Sequence, residues 1–504
     1  MASEDSLFIS GASNESTRRP SATIVPAGAY HNLSVREVQI RYLAVIDGEH
    51  YPPVIETALE EIARPDATVV AAVLAGGREK LAESSLEQLG DVPVLSGSDP
   101  LTVLDRALAE LKPDEVIDLS DEPVLDYRRR HHFAAVTLAH RIPYGGADFR
   151  FEPPARPLLC GKPSLAMIGT GKRSGKTAVA GYAARVLKEE GSSPVVVAMG
   201  RGGPPEPVLL RGDALELSAT ELVAMADEGR HAASDYVEDA LLARVPTVGC
   251  RRCGGGLAGG VEHSNVAEGI DLANSIDGDL LILEGSGSAI PPAHTDATIL
   301  VVGAGLPPEY LSGYFGLYRL LLADLVVITM CEDPFASHSQ ISELVSVIRQ
   351  AFRSSHIGGS KGEAAAQGKK KVEVVRTVFR PHPTKEIEGK TAFVATTAPE
   401  AASDLMKRHL EGKYGCRIAG ISHALSDRRR LQADLEHLDR DVDVLLCEIK
   451  AAGIDMAARF ALKKGLEVVF MDNVPEPLDG DDIAAAVHAA ADLAKARFAE
   501  NSDG

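Results

Sequence analysis

Short apolar runs, each bounded by glycine, proline or an acid, alternate along this chain with stretches whose apolar positions recur every third or fourth residue. Tyr42–Ile46, Val69–Leu74, Val92–Leu95 and Val116–Leu119 read as buried strands. After the first of them, Pro52 and Pro53 open a helix with Val54, Ala58, Leu59 and Ile62 on one side. Strands alternating with helices predict a parallel α/β layer, so a Rossmann-like N-terminal domain is expected at about 36–155. Pro153, Pro154 and Pro157 mark a linker. A second series follows, with strands at Leu165–Ile168, Val195–Met199, Leu280–Leu283, Ile299–Val302, Val326–Thr329 and Val374–Phe379, giving a core domain at about 160–385. A third series has strands at Phe393–Thr396, Arg417–Ser422, Val442–Cys447 and Glu467–Met471 and a last helix over Asp481–Phe498, and makes a C-terminal α/β domain at about 390–498. Residues 1–35 are polar and aperiodic and read as a disordered leader; the Gly/Ser/Ala/Lys-rich stretch 354–371 reads as a mobile surface insertion.

The strongest chemical signal lies where the strand Leu165–Ile168 runs into Gly169-Thr170-Gly171-Lys172-Arg173-Ser174-Gly175-Lys176-Thr177-Ala178. A helix leaves this loop with Val179, Ala183, Val186 and Leu187 on one face and Gly191 at its end. Glycines let backbone N–H groups curl around phosphate oxygens, and the helix N-terminus adds partial positive charge. In such a loop Lys176 reaches the β- and γ-phosphates of ATP, and the Thr177 hydroxyl is a Mg²⁺ ligand. The usual spacing wants glycine where Thr170 stands; Gly169 sits one place earlier. A Gly-Thr start with a second lysine, Lys172, resembles the loop of dethiobiotin synthetase and its relatives. The predicted fold class is therefore α/β and multi-domain with parallel sheets, its central P-loop domain of the dethiobiotin-synthetase-like type flanked by Rossmann-like domains.

Other candidates sit at strand ends, where open α/β sheets place function. Glu284, closing Leu280–Leu283, is the expected Mg²⁺ ligand or water-holding acid, and Lys172, Lys176 and Glu284 form the expected catalytic set. Asp213 is a further metal candidate. Arg201, set between glycines after Val195–Met199, suits a phosphate clamp because its fork matches phosphate bidentately. Cys250-Arg251-Arg252-Cys253 and the glycines after it read as a basic loop forming an anion nest around Arg251 and Arg252. The alternative, half a zinc site, lacks a second cysteine pair. Lys450 and Arg380, also after strands, divide evenly between ligand contact and solvated charge. Acids at Asp47–His50 and Asp118–Glu122 either face a site or cap helices.

Charge narrows the partners. A formal net charge of −20 over 504 residues argues against nucleic acid and against an anionic membrane surface, while local arginine clusters leave a small polyanion open. No run of 18 apolar residues and no signal segment occur, and 6 scattered cysteines suit a reducing cytoplasm. A two-fold homodimer is expected on general grounds.

Taken together, Ile46–Pro53, Asp118–Pro123, Gly145–Phe149, the phosphate loop, Met199–Pro207, Val248–Gly260, Leu283–Ser288 and Glu448–Asp455 resemble the cyclic 2,3-diphosphoglycerate synthetase family, over about residues 40–495. The resemblance implies that ATP and 2,3-bisphosphoglycerate give ADP, phosphate and the cyclic anhydride, with Arg201, Arg251, Arg252 and Lys450 on the bisphosphoglycerate. Two rivals remain at this point: another P-loop ligase, of the dethiobiotin synthetase or cobyrinate amidoligase type, and a P-loop switch ATPase.

Overall fold

The computed structural model describes residues 39–502 apart from 78–79, 81–86, 215–217, 229–233, 354–371, 439–440 and 450–452. The expected leader, the 354–371 insertion and Lys450 thus lie outside the described residues. The chain from Ile40 onward forms one compact unit.

Its first layer is a sheet of β1 (Ile40–Ile46), β2 (Ala67–Leu74), β3 (Gln88–Leu89), β4 (Val92–Leu95), β5 (Glu115–Asp118), β6 (Tyr144–Gly145) and β7 (Arg150–Phe151), in the order β3-β4-β2-β1-β5-β6-β7. Helices α1 (Pro52–Ile62), α2 (Pro100–Leu111) and α3 (Tyr127–Ala139) connect its strands. The Pro52-Pro53 start of α1 is as expected, but the buried face is carried by Ile55 and Leu59, whereas Val54 is 57% exposed. Leu59 and Ile62 keep the expected face, and Ile55 takes the place of Val54, since α1 packs on β2 through the row Ile55-Leu59-Ile62.

The second layer runs β8 (Ser164–Gly169), α4 (Lys176–Glu189), β9 (Pro194–Gly200), β10 (Val208–Arg211), α5 (Ala219–Asp227), α6 (Asp235–Ala243), β11 (Pro246–Cys253), β12 (His263–Ser264), α7 (Val266–Asn274), β13 (Leu280–Glu284) and β14 (Ala297–Gly303). It continues with α8 (Glu309–Ser312), α9 (Gly316–Leu322), β15 (Leu325–Thr329), α10 (His338–Arg353) and β16 (Glu373–Pro383). The last third adds β17 (Thr391–Ala395), α11 (Ser403–Tyr414), β18 (Arg417–Ser422), α12 (Arg428–Glu436), β19 (Val444–Glu448), α13 (Ile454–Lys464), β20 (Glu467–Pro477) and α14 (Ile483–Ser502).

These strands do not make two separate sheets. Among the described residues they form a single 13-stranded sheet, β10-β11-β9-β13-β8-β14-β15-β16-β20-β19-β17-β18, with β12 beside β11. The strands from β9 to β16 are parallel, β20 is antiparallel to β16, and β19, β17 and β18 follow the direction of β20. Only the first residues of β16 pair with β15; Thr377–Pro383 run on past it and pair with Met471–Pro477. At roughly 3.3 Å per residue this ribbon spans about 20 Å. The carboxyl ends of the two parallel sets therefore face each other across it. One apolar core runs beneath both, joining Val179, Ala183 and Leu187 of α4 to Leu445, Ala457, Ala461, Ala490 and Ala494.

Candidate active site

The phosphate loop sits where the sequence pattern puts it, between the fully buried β8 and the start of α4. Gly175 takes φ 79°, and a Cβ there would lie 2.3 Å from the ring of Phe379 on the ribbon, so this turn admits glycine alone. Gly169 brings its backbone against the Ser174 hydroxyl, with 3.1 Å from a notional Cβ to Oγ. Thr329 Oγ1 donates to the Ser174 carbonyl at 2.8 Å and so ties the loop to the end of β15. Lys176 and Thr177 are buried, whereas Lys172 and Arg173 project to solvent.

Glu284 stands opposite. It ends β13, next to β8, and is 1% exposed. Its Oε1 accepts from Thr177 Oγ1 at 2.6 Å and lies 3.8 Å from Lys176 Nζ. Its Oε2 is buried and has no hydrogen-bond partner among the described residues. An orphaned carboxylate oxygen beside a threonine hydroxyl is a hard-oxygen pair of the kind Mg²⁺ takes, so the residues present fit that ion.

Beyond Glu284 the chain turns through Gly285–Ser288, and Gly287 takes φ 61°. Two guanidinium groups converge there. A Cβ on Gly287 would lie 2.8 Å from Arg201 Nη2 and 3.7 Å from Arg252 Nη2. Arg252 donates to the carbonyls of Ser286 at 2.8 Å and Gly254 at 3.1 Å, and its buried Nε has no partner among the described residues. Partial burial, together with the neighbouring Arg201, depresses the Arg252 pKa. Two cations held this close, with backbone carbonyls for company, make a place for a polyanion.

The segment bearing Arg252 is not the loop expected from its composition. Cys250–Cys253 continue β11, pairing with β9 through Arg251 and with β12 through Arg252 and Cys253. Side chains therefore alternate: Cys250 is buried, while Arg251 and Cys253 are exposed. Burial pushes the Cys250 thiol up to about 12, and among the described residues no cluster of three or more metal-ligating side chains occurs. The Arg251 N–H is fixed by Asn265 Oδ1 at 2.7 Å, and Asn265 also binds the Pro204 and Pro205 carbonyls, so the loops after β9 and β11 are locked together.

Asp213 does not join this group. It follows β10, whose Arg211 pairs with Pro246 at the opposite end of the sheet from the phosphate loop, and Arg211 Nε and Nη2 hold both of its oxygens, at 3.0 and 2.6 Å. That ion pair, rather than a metal, keeps the Asp213 pKa low. Arg380 is likewise engaged, in a two-pronged pair with Glu332. Across the ribbon, Glu448 ends β19 and accepts from Thr396 Oγ1, Thr397 N, Thr397 Oγ1 and Asn473 Nδ2 at 2.7–3.0 Å.

Three family models tile the chain: the P-loop domain of cyclic 2,3-diphosphoglycerate synthetase over residues 164–358, its N-terminal domain over 41–152 and its C-terminal domain over 383–474. The chain is 44% identical to cyclic 2,3-diphosphoglycerate synthetase of Methanothermobacter thermautotrophicus, over 90% of this chain and 97% of that one. It belongs to the cyclic 2,3-diphosphoglycerate synthetase family. The Rubrobacter xylanophilus enzyme of that name is 45% identical over 88% of this chain and 96% of its own, and that of Methanothermus fervidus 43% over 87% and 94%. Among solved structures, LpxK from Aquifex aeolicus in complex with ATP gives a TM-score of 0.35 at 14% identity, covering 66% of this chain and 90% of that one, too low a likeness to inform fold or ligand. Among the described residues no helix is long and apolar enough to cross a membrane.

Two residues at the site went unread in the sequence. Phe379 lay inside an ordinary apolar strand. Arg319, a lone cation in Phe315–Ala323, was visible as an interruption of an apolar stretch.

Proposed function

We propose that this chain is the ATP-dependent ligase that closes 2,3-bisphosphoglycerate into its cyclic 2,3-anhydride, releasing ADP and phosphate. The observation that carries the reading is the adjacency of two anion sites: the phosphate loop with Lys176, Thr177 and Glu284, and the Arg201–Arg252 pair reached from it by the turn at Gly287. Family membership supplies the reaction, and the arginine pair suits a small molecule bearing two phosphates. A switch ATPase has little use for a second polyanion site.

In the proposed sequence a phosphate oxygen of the bisphosphoglycerate attacks the ATP γ-phosphorus, and ADP leaves. An oxygen of the second phosphate then attacks the substrate phosphorus that carries the new group. A P–O–P bond forms and inorganic phosphate departs with the electron pair of the broken bond. Lys172, Lys176 and the backbone of Gly169–Ala178 hold the transferring phosphoryl, while Arg201, Arg251, Arg252 and Lys450 hold the bisphosphoglycerate. Catalysis is mainly positioning and neutralisation of charge. Thr177 and Glu284 would hold Mg²⁺, which supplies Lewis-acid neutralisation of phosphoryl charge when bound.

The Gly169-Thr170 start and Lys172 support grouping the core with dethiobiotin-synthetase-type loops. We take three functional domains, at about 36–155, 160–385 and 390–498. The reading also includes a two-fold homodimer working in the cytoplasm, in keeping with its free cysteines. The test is ADP release with and without 2,3-bisphosphoglycerate. Release that depends on it supports the ligase; equal release with and without it contradicts it.

A further inference from the structure

Arg319, on α9, is 6% exposed and among the described residues bonds to carbonyl oxygens and to no carboxylate. Its fork is spent on carbonyls of two different loops. Nε and Nη2 donate to Ser288 O at 3.1 and 2.7 Å, Nη1 and Nη2 reach Leu257 O at 3.5 and 3.4 Å, and Nη1 also binds Phe315 O at 3.0 Å. Ser288 belongs to the turn that follows Glu284; Leu257 belongs to the glycine-rich loop that follows Arg252. Ile290 N donates to Gly259 O at 2.8 Å and joins the same two loops alongside.

A buried guanidinium without a counter-charge is expensive; burial depresses its pKa to about 10, yet it stays charged at neutral pH. A hydrophobic residue would fill this place at lower cost. What a hydrophobe or a lysine cannot do is bridge two carbonyl groups with one rigid planar fork. Helix α9 is itself held from the other side. Phe315 packs edge-on against His131 and Phe151, at 5.4 and 5.0 Å between ring centroids, and His132 Nε2 meets Ser312 O. The N-terminal layer thereby braces the helix that carries Arg319.

We propose that Arg319 is a positioning residue: its guanidinium fixes the turn that follows Glu284 against the loop that follows Arg252, and so sets the distance between the γ-phosphoryl and the bisphosphoglycerate. This rests on the reaction proposed above. It gives the N-terminal layer a part in catalysis without a ligand of its own.

Arg319→Lys keeps the charge and removes the fork. Hydrogen exchange should quicken about tenfold or more at the Gly259, Ala289 and Ile290 amides and stay unchanged in α4 and β13. KM for 2,3-bisphosphoglycerate should rise, or kcat fall, by about 10- to 100-fold, as for small misplacements of reacting groups, while the Kd for a non-hydrolysable ATP analogue stays within about twofold. Gly259→Ala reaches the same tether without touching the charge. Gly259 has φ 88°, and its Cβ would lie 3.0 Å from Arg319 Nη2. It should give the same split, and it decides the matter if Arg319→Lys does not fold. Unchanged exchange, or equal losses for nucleotide and bisphosphoglycerate, would overturn the proposal. A parent enzyme that makes no cyclic product would sink the reaction reading instead, while the exchange rates would still decide whether Arg319 ties the loops.

Discussion

Replacing Glu284 with glutamine isolates what its charge does. The side chains are isosteric, and the amide oxygen can still accept from Thr177 Oγ1, now at 2.6 Å from the carboxylate. The loss is electrostatic. With Lys176 Nζ 3.8 Å away and both groups almost fully buried, Coulomb attraction at an effective dielectric of about 20 comes to about 4 kcal/mol. Part of that is offset because a neutral amide is cheaper to bury than a carboxylate, but the buried Lys176 charge loses this partner, so the ligand-free protein should lose about 3 kcal/mol of stability. The turnover effect is larger. The orphaned Oε2 would become or face an N–H donor, which repels a cation instead of ligating it. A lost metal ligand at a transferring phosphoryl is worth several kcal/mol, and about 4 kcal/mol is about a thousandfold in kcat. The assay is steady-state ADP release with bisphosphoglycerate over a Mg²⁺ titration, beside a thermal melt. The expected result is a kcat lower by about 10³ and a raised Mg²⁺ requirement, with a folded protein. Turnover within about threefold of the parent at the same Mg²⁺ midpoint would show that the Glu284 carboxylate is not a metal ligand.

Three further predictions concern separate parts of the molecule. Arg252→Ala should weaken 2,3-bisphosphoglycerate by about 10- to 100-fold, the size of one or two charge-assisted hydrogen bonds, and ATP much less; calorimetric titration checks this, and equal losses would count against two separate anion sites. Gly175→Ala forces alanine to φ 79° at about 1–2 kcal/mol and drives a methyl into the Phe379 ring, so ATP affinity should fall at least about tenfold in a fluorescent-nucleotide titration; unchanged affinity would contradict the loop geometry. Asp47, fully buried, is raised by desolvation, but hydrogen bonds from Asp121 N, the His50 ring and Glu49 N outweigh this and hold its pKa below the usual 3.8. A depressed carboxyl contributes stability above its unfolded pKa and loses it as pH falls through the folded value. Asp47→Asn should thus cost about 2 kcal/mol at pH 7 and progressively less below pH 3.8, followed by chemical denaturation at each pH.

The strand, loop and helix around Lys176 were legible because three local signals agree there: an apolar strand, a glycine-rich turn and helical periodicity. Glu284 was legible for a related reason, as the first acid after an unbroken apolar strand. The merging of the second and third strand series into one sheet was not, because the antiparallel pairing of β16 with β20 joins residues about ninety positions apart and leaves no local mark. Composition misled at Cys250–Cys253. Two arginines before a glycine run look like a loop, but pairing with β9 and β12 imposes a strand. Asp213 misled in the opposite way, since a strand-end acid gives no hint of which end of the sheet it occupies. The tether made by Arg319 could not be foreseen, because all three of its acceptors, the carbonyls of Ser288, Leu257 and Phe315, are backbone groups that any sequence provides.

The bond that distinguishes this reaction from simple ATP hydrolysis is a phosphoanhydride closed within one small molecule. Phosphorus NMR of the purified enzyme with ATP, Mg²⁺ and 2,3-bisphosphoglycerate reads that bond directly. New cyclic-anhydride resonances should grow in step with ADP and inorganic phosphate. ADP and phosphate rising alone, with the bisphosphoglycerate signals unchanged, would contradict it.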